Sequence, residues 1–67
     1  MSTPKYVYSN LDGMFMERMR RGLSAYDVAG ECEISVRALK DYEAREKSPK
    51  PETYNRLAKI FGWEEWE

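Results

Sequence analysis

No histidine occurs anywhere in the 67 residues. That absence removes the usual general base of acid–base and nucleophilic catalysis, and with it the commonest zinc ligand. Cysteine is nearly as scarce: Cys32 stands alone, so no disulfide can form within the chain, which agrees with a reducing compartment. A zinc site would have to be assembled from one thiol and carboxylates. Acidic pairs such as Glu31 and Glu33 remain, and on a helix-rich surface they read as solvated side chains. Long apolar runs are missing too, since none approaches the roughly 18 residues that a transmembrane helix needs. The opening Met1-Ser2-Thr3-Pro4-Lys5 is not followed by the apolar stretch of a signal peptide. The expectation is a cytoplasmic, non-enzymatic protein with no membrane contact, no metal and no cofactor.

What is present fits one small globular domain. Hydrophobic residues make up 42% of the chain and charged residues 34%, a balance that disordered segments do not have. A domain of this size buries only about 60% of the surface its unfolded chain exposes, so its stability is modest or helped by a partner. The formal charge is −1, whereas nucleic-acid binders usually carry a basic face. The acids are unevenly placed, however. Glu64, Glu65 and Glu67 fall in the last four residues, and without them the chain has eleven basic and nine acidic residues, a balance of +2. The body is mildly basic and the tail is acidic.

Four amphipathic segments follow one another. Residues 1–8, with Pro4 and the alternating Tyr6-Val7-Tyr8, have no helical period and read as an extended arm. Ser9 and Asp12 have the spacing of a capping box that opens a first helix. Leu11, Met14, Phe15 and Met19 give that helix one apolar stripe. Gly13 weakens it by about 1 kcal/mol relative to alanine, and Gly22 is its natural stop. Ser24 opens a second helix running to Cys32, with Val28, Ala29 and Cys32 at core-compatible spacing. Ser35 caps a third, with Leu39 and Tyr42 on its inner face. Ser48-Pro49-Lys50-Pro51 breaks the chain, and Pro51 suits the first position of a fourth helix. There Tyr54, Leu57, Ala58 and Phe61 repeat the stripe, and Gly62 ends it. Helices this short bury their stripes only by packing into a single core.

Two short helices joined by about three residues, the second led by a serine cap, have the layout of a helix-turn-helix. The residues sharpen that pattern. Arg18, Gly22-Leu23-Ser24-Ala25-Tyr26-Asp27-Val28-Ala29, Ile34-Ser35, Leu39, Tyr42-Glu43, Pro49 and Leu57-Ala58-Lys59-Ile60-Phe61-Gly62-Trp63 together resemble the phage-repressor (lambda-repressor/Cro/Xre) family. The resemblance covers about residues 14–63. It implies an all-α, compact four- to five-helix lambda-repressor-like domain spanning 9–63, with the helix-turn-helix in its second and third predicted helices. It also implies a core of Leu23, Val28, Ile34, Leu39, Leu57 and Phe61, with Ala29 small enough for two helices to cross closely. An Arg18–Glu43 pair would tie the first helix to the third.

The function implied is a sequence-specific transcriptional regulator, repressor-like, that binds double-stranded DNA as a homodimer. The third predicted helix, about residues 35–44, would lie in the major groove. Ser35, Val36, Arg37, Lys40 and Asp41 point away from its Leu39/Tyr42 stripe, and the family positions matching Val36, Arg37 and Asp41 usually read bases. Arg37 is the leading candidate, because a guanidinium can bind guanine O6 and N7 together. Val36 suits a thymine methyl group, and Asp41 a cytosine amino group. Lys40, Arg45, Lys47 and Lys50 would meet phosphates, and Ser24 is a further expected DNA contact. Arg20 and Arg21 complement a helix dipole. Tyr26, Trp63 and Trp66 read as packing residues, with the two tryptophans the expected apolar patch for self-association. The sequence also departs from the family pattern. Ala25 stands where many members have glutamine, and Glu33 and Arg45 stand where many have glycine. Glu33, Asp41 and Glu46 add negative charge to the expected DNA face. The acidic tail, Ala25 and the near-zero net charge favour an alternative, a protein-interaction or antitoxin-like accessory module that uses the same fold.

Overall fold

A computed structural model describes residues 8–65, and every regular element among them is a helix. They are α1 (Tyr8–Asp12), α2 (Met14–Arg20), α3 (Ala25–Cys32), α4 (Val36–Glu43) and α5 (Pro51–Phe61). The arm expected over residues 1–8 lies outside the described residues except for Tyr8, which already belongs to α1. Trp66 and Glu67 also lie outside them, so of the acidic tail only Glu64 and Glu65 are described.

The expected first helix is two. Gly13 sits between α1 and α2 with φ −92° and ψ 0°, and as a poor helix former it marks the break between them. Because α1 starts at Tyr8, Ser9 is inside the helix rather than its cap. The stripe also differs from the one expected. Leu11, Met14 and Arg18 face inward, while Phe15 and Met19 are 46% and 56% exposed. The inward position one turn beyond Met14 is taken by an arginine, which apolar periodicity cannot reveal.

The core gathers Leu11, Met14, Val28, Ala29, Cys32, Leu39, Tyr54, Leu57 and Phe61 from all five helices. Leu23 and Ile34, expected in the core, pack partly buried at its edge. α3 packs on α4 and on α5, and α1 rests on α2 and α4. The Asn10 amide donates a 2.9 Å hydrogen bond to the hydroxyl of fully buried Tyr54, joining α1 to α5.

Four helices end in the same way. Past α2, α3, α4 and α5 one residue enters the left-handed region: Gly22 (φ 71°), Glu33 (59°), Arg45 (64°) and Gly62 (81°). In each case the next amide reaches back five residues, as Leu23 to Arg18, Ile34 to Ala29, Glu46 to Asp41 and Trp63 to Ala58. This Schellman arrangement satisfies carbonyls that the helix would otherwise leave unpaired, and glycine is its usual occupant. Glu33 and Arg45 accept the left-handed conformation despite their Cβ atoms.

Candidate nucleic-acid interface

α3, the turn Glu33-Ile34-Ser35 and α4 form the helix-turn-helix. Both helices begin on a serine whose backbone is extended. Ser24 Oγ accepts the Asp27 amide, and Ser35 Oγ accepts the Ala38 amide, each at 3.0 Å. The two serines named as DNA contacts therefore serve first as caps, worth ~1 kcal/mol apiece. Ala29 is buried where α3 meets α4, and Ile34 packs the turn against the core.

A buried ion pair holds α4 from behind. Arg18 donates from Nε to Glu43 Oε2 at 2.7 Å and from Nη2 to Oε1 at 3.2 Å, with both side chains only 7% exposed. Its Nη1 also reaches the Leu23 carbonyl at 3.2 Å. The two-pronged bond to Glu43 raises the pKa of Arg18 and outweighs the opposing effect of burial. Phe15 covers the guanidinium, 5.3 Å from ring centre to Cζ. The pair expected from the resemblance is present, and it fixes α4 to α2.

On the outer face of α4 the predicted residues divide. Arg37 and Lys40 are exposed and Asp41 is half-buried. Arg37 and Asp41 border a shallow open depression together with Glu46 and Lys47. Lys47 Nζ lies 3.8 Å from Asp41 Oδ2. Val36 does not point outward as expected: it is half-buried and packs against the core, since a β-branched apolar side chain in the first turn gains more by covering the core edge. Arg45 is turned toward α1, where it pairs with Asp12.

The distribution of ion pairs sets one arginine apart. Arg18 pairs with Glu43, Arg20 and Arg21 with Glu17, Arg45 with Asp12, and Arg56 with Glu33 and Glu52. Among the described residues Arg37 is the arginine with no carboxylate partner. Two paired arginines have a structural use that sequence alone did not show. Arg21 donates to the Ile60 and Phe61 carbonyls at the end of α5, at 3.0 and 3.2 Å. Arg56 donates to the Cys32 carbonyl at the end of α3, at 3.0 Å. Basic side chains over helix C-termini complement the dipole of a neighbouring element; for Arg21 that element is α5, not the helix it follows.

The aromatic residues also depart from expectation. Tyr26 is 78% exposed, not packed, because it lies in the first turn of α3, two residues from buried Val28 and so across the helix from it. Trp63 is half-buried, with its ring 5.4 Å from Phe61 and 5.3 Å from Tyr54 between centroids. It packs on the core edge, and Trp66, the other half of the expected self-association patch, lies outside the described residues. Among the described residues Phe15, Met16 and Met19 of α2 are also exposed.

Five short helices around one core, with a capped helix pair and a three-residue turn, define a small helix-turn-helix domain. A family profile described as "Helix-turn-helix domain" matches residues 16–65. The chain belongs to this family, of the Cro/C1, Xre-like type. No curated protein and no solved structure matches it. Membership points to DNA binding and to a family that is typically non-enzymatic. Among the described residues no helix is long and apolar enough to cross a membrane.

Proposed function

We propose that this protein is a sequence-specific transcriptional regulator, repressor-like, that lays α4 in the major groove of double-stranded DNA. The observation that carries the reading is Arg37. It is exposed on the outer face of a capped helix and lacks a carboxylate partner among the described residues. An arginine so placed can bind guanine O6 and N7 together, worth about 1–3 kcal/mol of discrimination. Lys40 and Lys47 lie on the same helix face or beside it to meet phosphates, and Arg45 joins them only by leaving Asp12. Ser24, Ser35 and Asp41 complete the proposed contact surface, and Val36 contributes at its buried edge. One copy offers one reading helix, hence one half-site, so a two-fold homodimer on a palindromic operator is the form proposed.

The second reading is a protein-interaction or antitoxin-like accessory module. It draws on the exposed Phe15, Met16 and Met19 of α2 and on Asp41 and Glu46 beside Arg37. Selection from a randomised duplex pool at low and moderate salt, repeated with Arg37→Ala, separates the two. DNA reading gives an enriched, two-fold symmetric motif that the variant loses or relaxes at one base pair. It also gives affinity that falls with salt. No duplex binding at about 10 μM protein in low salt, where even non-specific contacts hold, favours the accessory module.

A further inference from the structure

We infer that Asp41 is a specificity-determining residue: its carboxylate opposes non-specific binding of the DNA backbone at the Arg37 face. This inference rests on the DNA-binding reading proposed above and adds a restraint within the same surface.

The placement comes from α4 and the turn that follows it. Arg37 and Asp41 are four residues apart and so share one face of the helix. Arg45 then takes its left-handed conformation, and the amides of Glu46 and Lys47 both donate to the Asp41 backbone carbonyl, at 2.8 and 3.3 Å. The returning chain brings Lys47 Nζ to 3.8 Å from Asp41 Oδ2 and sets Glu46 on the rim of the same depression. A phosphate drawn to Arg37 or Lys47 must approach the Asp41 carboxylate, which lies beside Lys47 and borders the same depression. Lys47, already next to Asp41, is only partly available to neutralise that phosphate.

Folding supplies little reason for an acid at this position. Asp41 lies in the last turn of α4, where negative charge opposes the helix dipole, and aspartate is a poor helix former. Its ion pair joins it to a lysine side chain that is 72% exposed, and such pairs add little to stability. The backbone bonds from Glu46 and Lys47 go to the Asp41 carbonyl and do not need the carboxylate. The side chain is therefore better explained by what it turns away.

The experiment compares wild-type protein, Asp41→Asn and Glu65→Gln on a random-sequence duplex and on the duplex enriched by selection, at two salt concentrations. Glu65→Gln removes one negative charge beyond α5 and controls for net charge. Asp41→Asn is expected to bind random duplex roughly 3- to 10-fold more tightly, as for one charge removed within a few ångströms of phosphate in screened solvent. The slope of log affinity against log salt should steepen by about 1 as Lys47 becomes free to neutralise a phosphate. The ratio of selected to random affinity should fall, while Glu65→Gln changes none of these quantities. Equal ratios for wild type and Asp41→Asn, or an equal effect from Glu65→Gln, overturn the inference and leave the DNA reading standing. A wild type that binds no duplex while Asp41→Asn binds random duplex supports the restraint and removes sequence-specific reading. Binding by neither protein overturns both. Far-ultraviolet dichroism and melting of each variant show that the fold is intact.

Discussion

Cys32 shows what its surroundings do to one side chain. Its thiol is fully buried between α3 and its neighbours. Burial pushes its pKa up to about 11, with Arg56 pulling it down and Glu31 pushing it further up. A thiol in this state is a small hydrophobe rather than a nucleophile. Native protein should react with a maleimide at pH 8 about 100-fold more slowly than an unfolded chain, in proportion to the lost thiolate. The folded-state value stands above the reference of 9.0. Stability tied to Cys32 is therefore complete below about pH 9 and is lost as pH rises toward 11, because the unfolded thiol ionises first. Cys32→Ala should flatten the fall in melting temperature across that window. An unchanged alkaline profile in the variant would refute the assignment. The core position of Cys32 was legible from its spacing with Val28 and Ala29. The inward position of Arg18 was legible through the family resemblance and not through periodicity, which scores arginine as surface.

At the scale of elements, the helix ends carry most of the information. Ser24, Ser35, Pro51, Gly22 and Gly62 were readable as start and stop signals because each solves a local problem, an unpaired amide or a left-handed φ. Glu33 and Arg45 solve the same problem with the wrong residue type, so their conformation was open until the backbone was seen. Glu33 at φ 59° forgoes what glycine would offer and gains one exposed ion pair with Arg56 at 3.3 Å. Glu33→Gly should stabilise the domain by about 0.5–1 kcal/mol, the relief of the left-handed penalty less the lost pair and the greater freedom of the unfolded chain. In a domain this small that is a rise of a few degrees in melting temperature. A fall on thermal denaturation would mean that the ion pair matters more than the backbone.

At the scale of the molecule, a buried ion pair ties distant parts of the described chain together. Arg18 and Glu43 are 25 residues apart in sequence and each only 7% exposed. Removing one partner leaves the other charge buried, which costs about 3 kcal/mol, a large share of what so small a domain has. Glu43→Ala should lower the melting temperature by 10 °C or more. Hydrogen exchange should rise in both α2 and α4, because the pair links them. An unchanged melting temperature would show that Arg18 finds water or another acceptor. Glu43 lies behind α4, so DNA affinity of the folded fraction should change less in this variant than in Arg37→Ala.

The helix-turn-helix was in the sequence because it is made of local decisions: caps, stops, a short turn and apolar positions at helical spacing. The break at Gly13 and the outward turn of Phe15, Met19 and Tyr26 were not, since each depends on which side of a helix its neighbours leave uncovered. The candidate site divides in the same way. Residue type and position singled out Arg37 and Lys40 as outward cations on α4. Only the tertiary structure paired Arg45 with Asp12, drew Val36 to the core and set Lys47 beside Asp41. The availability of a charge depends on the carboxylates that folding brings near it from distant parts of the chain.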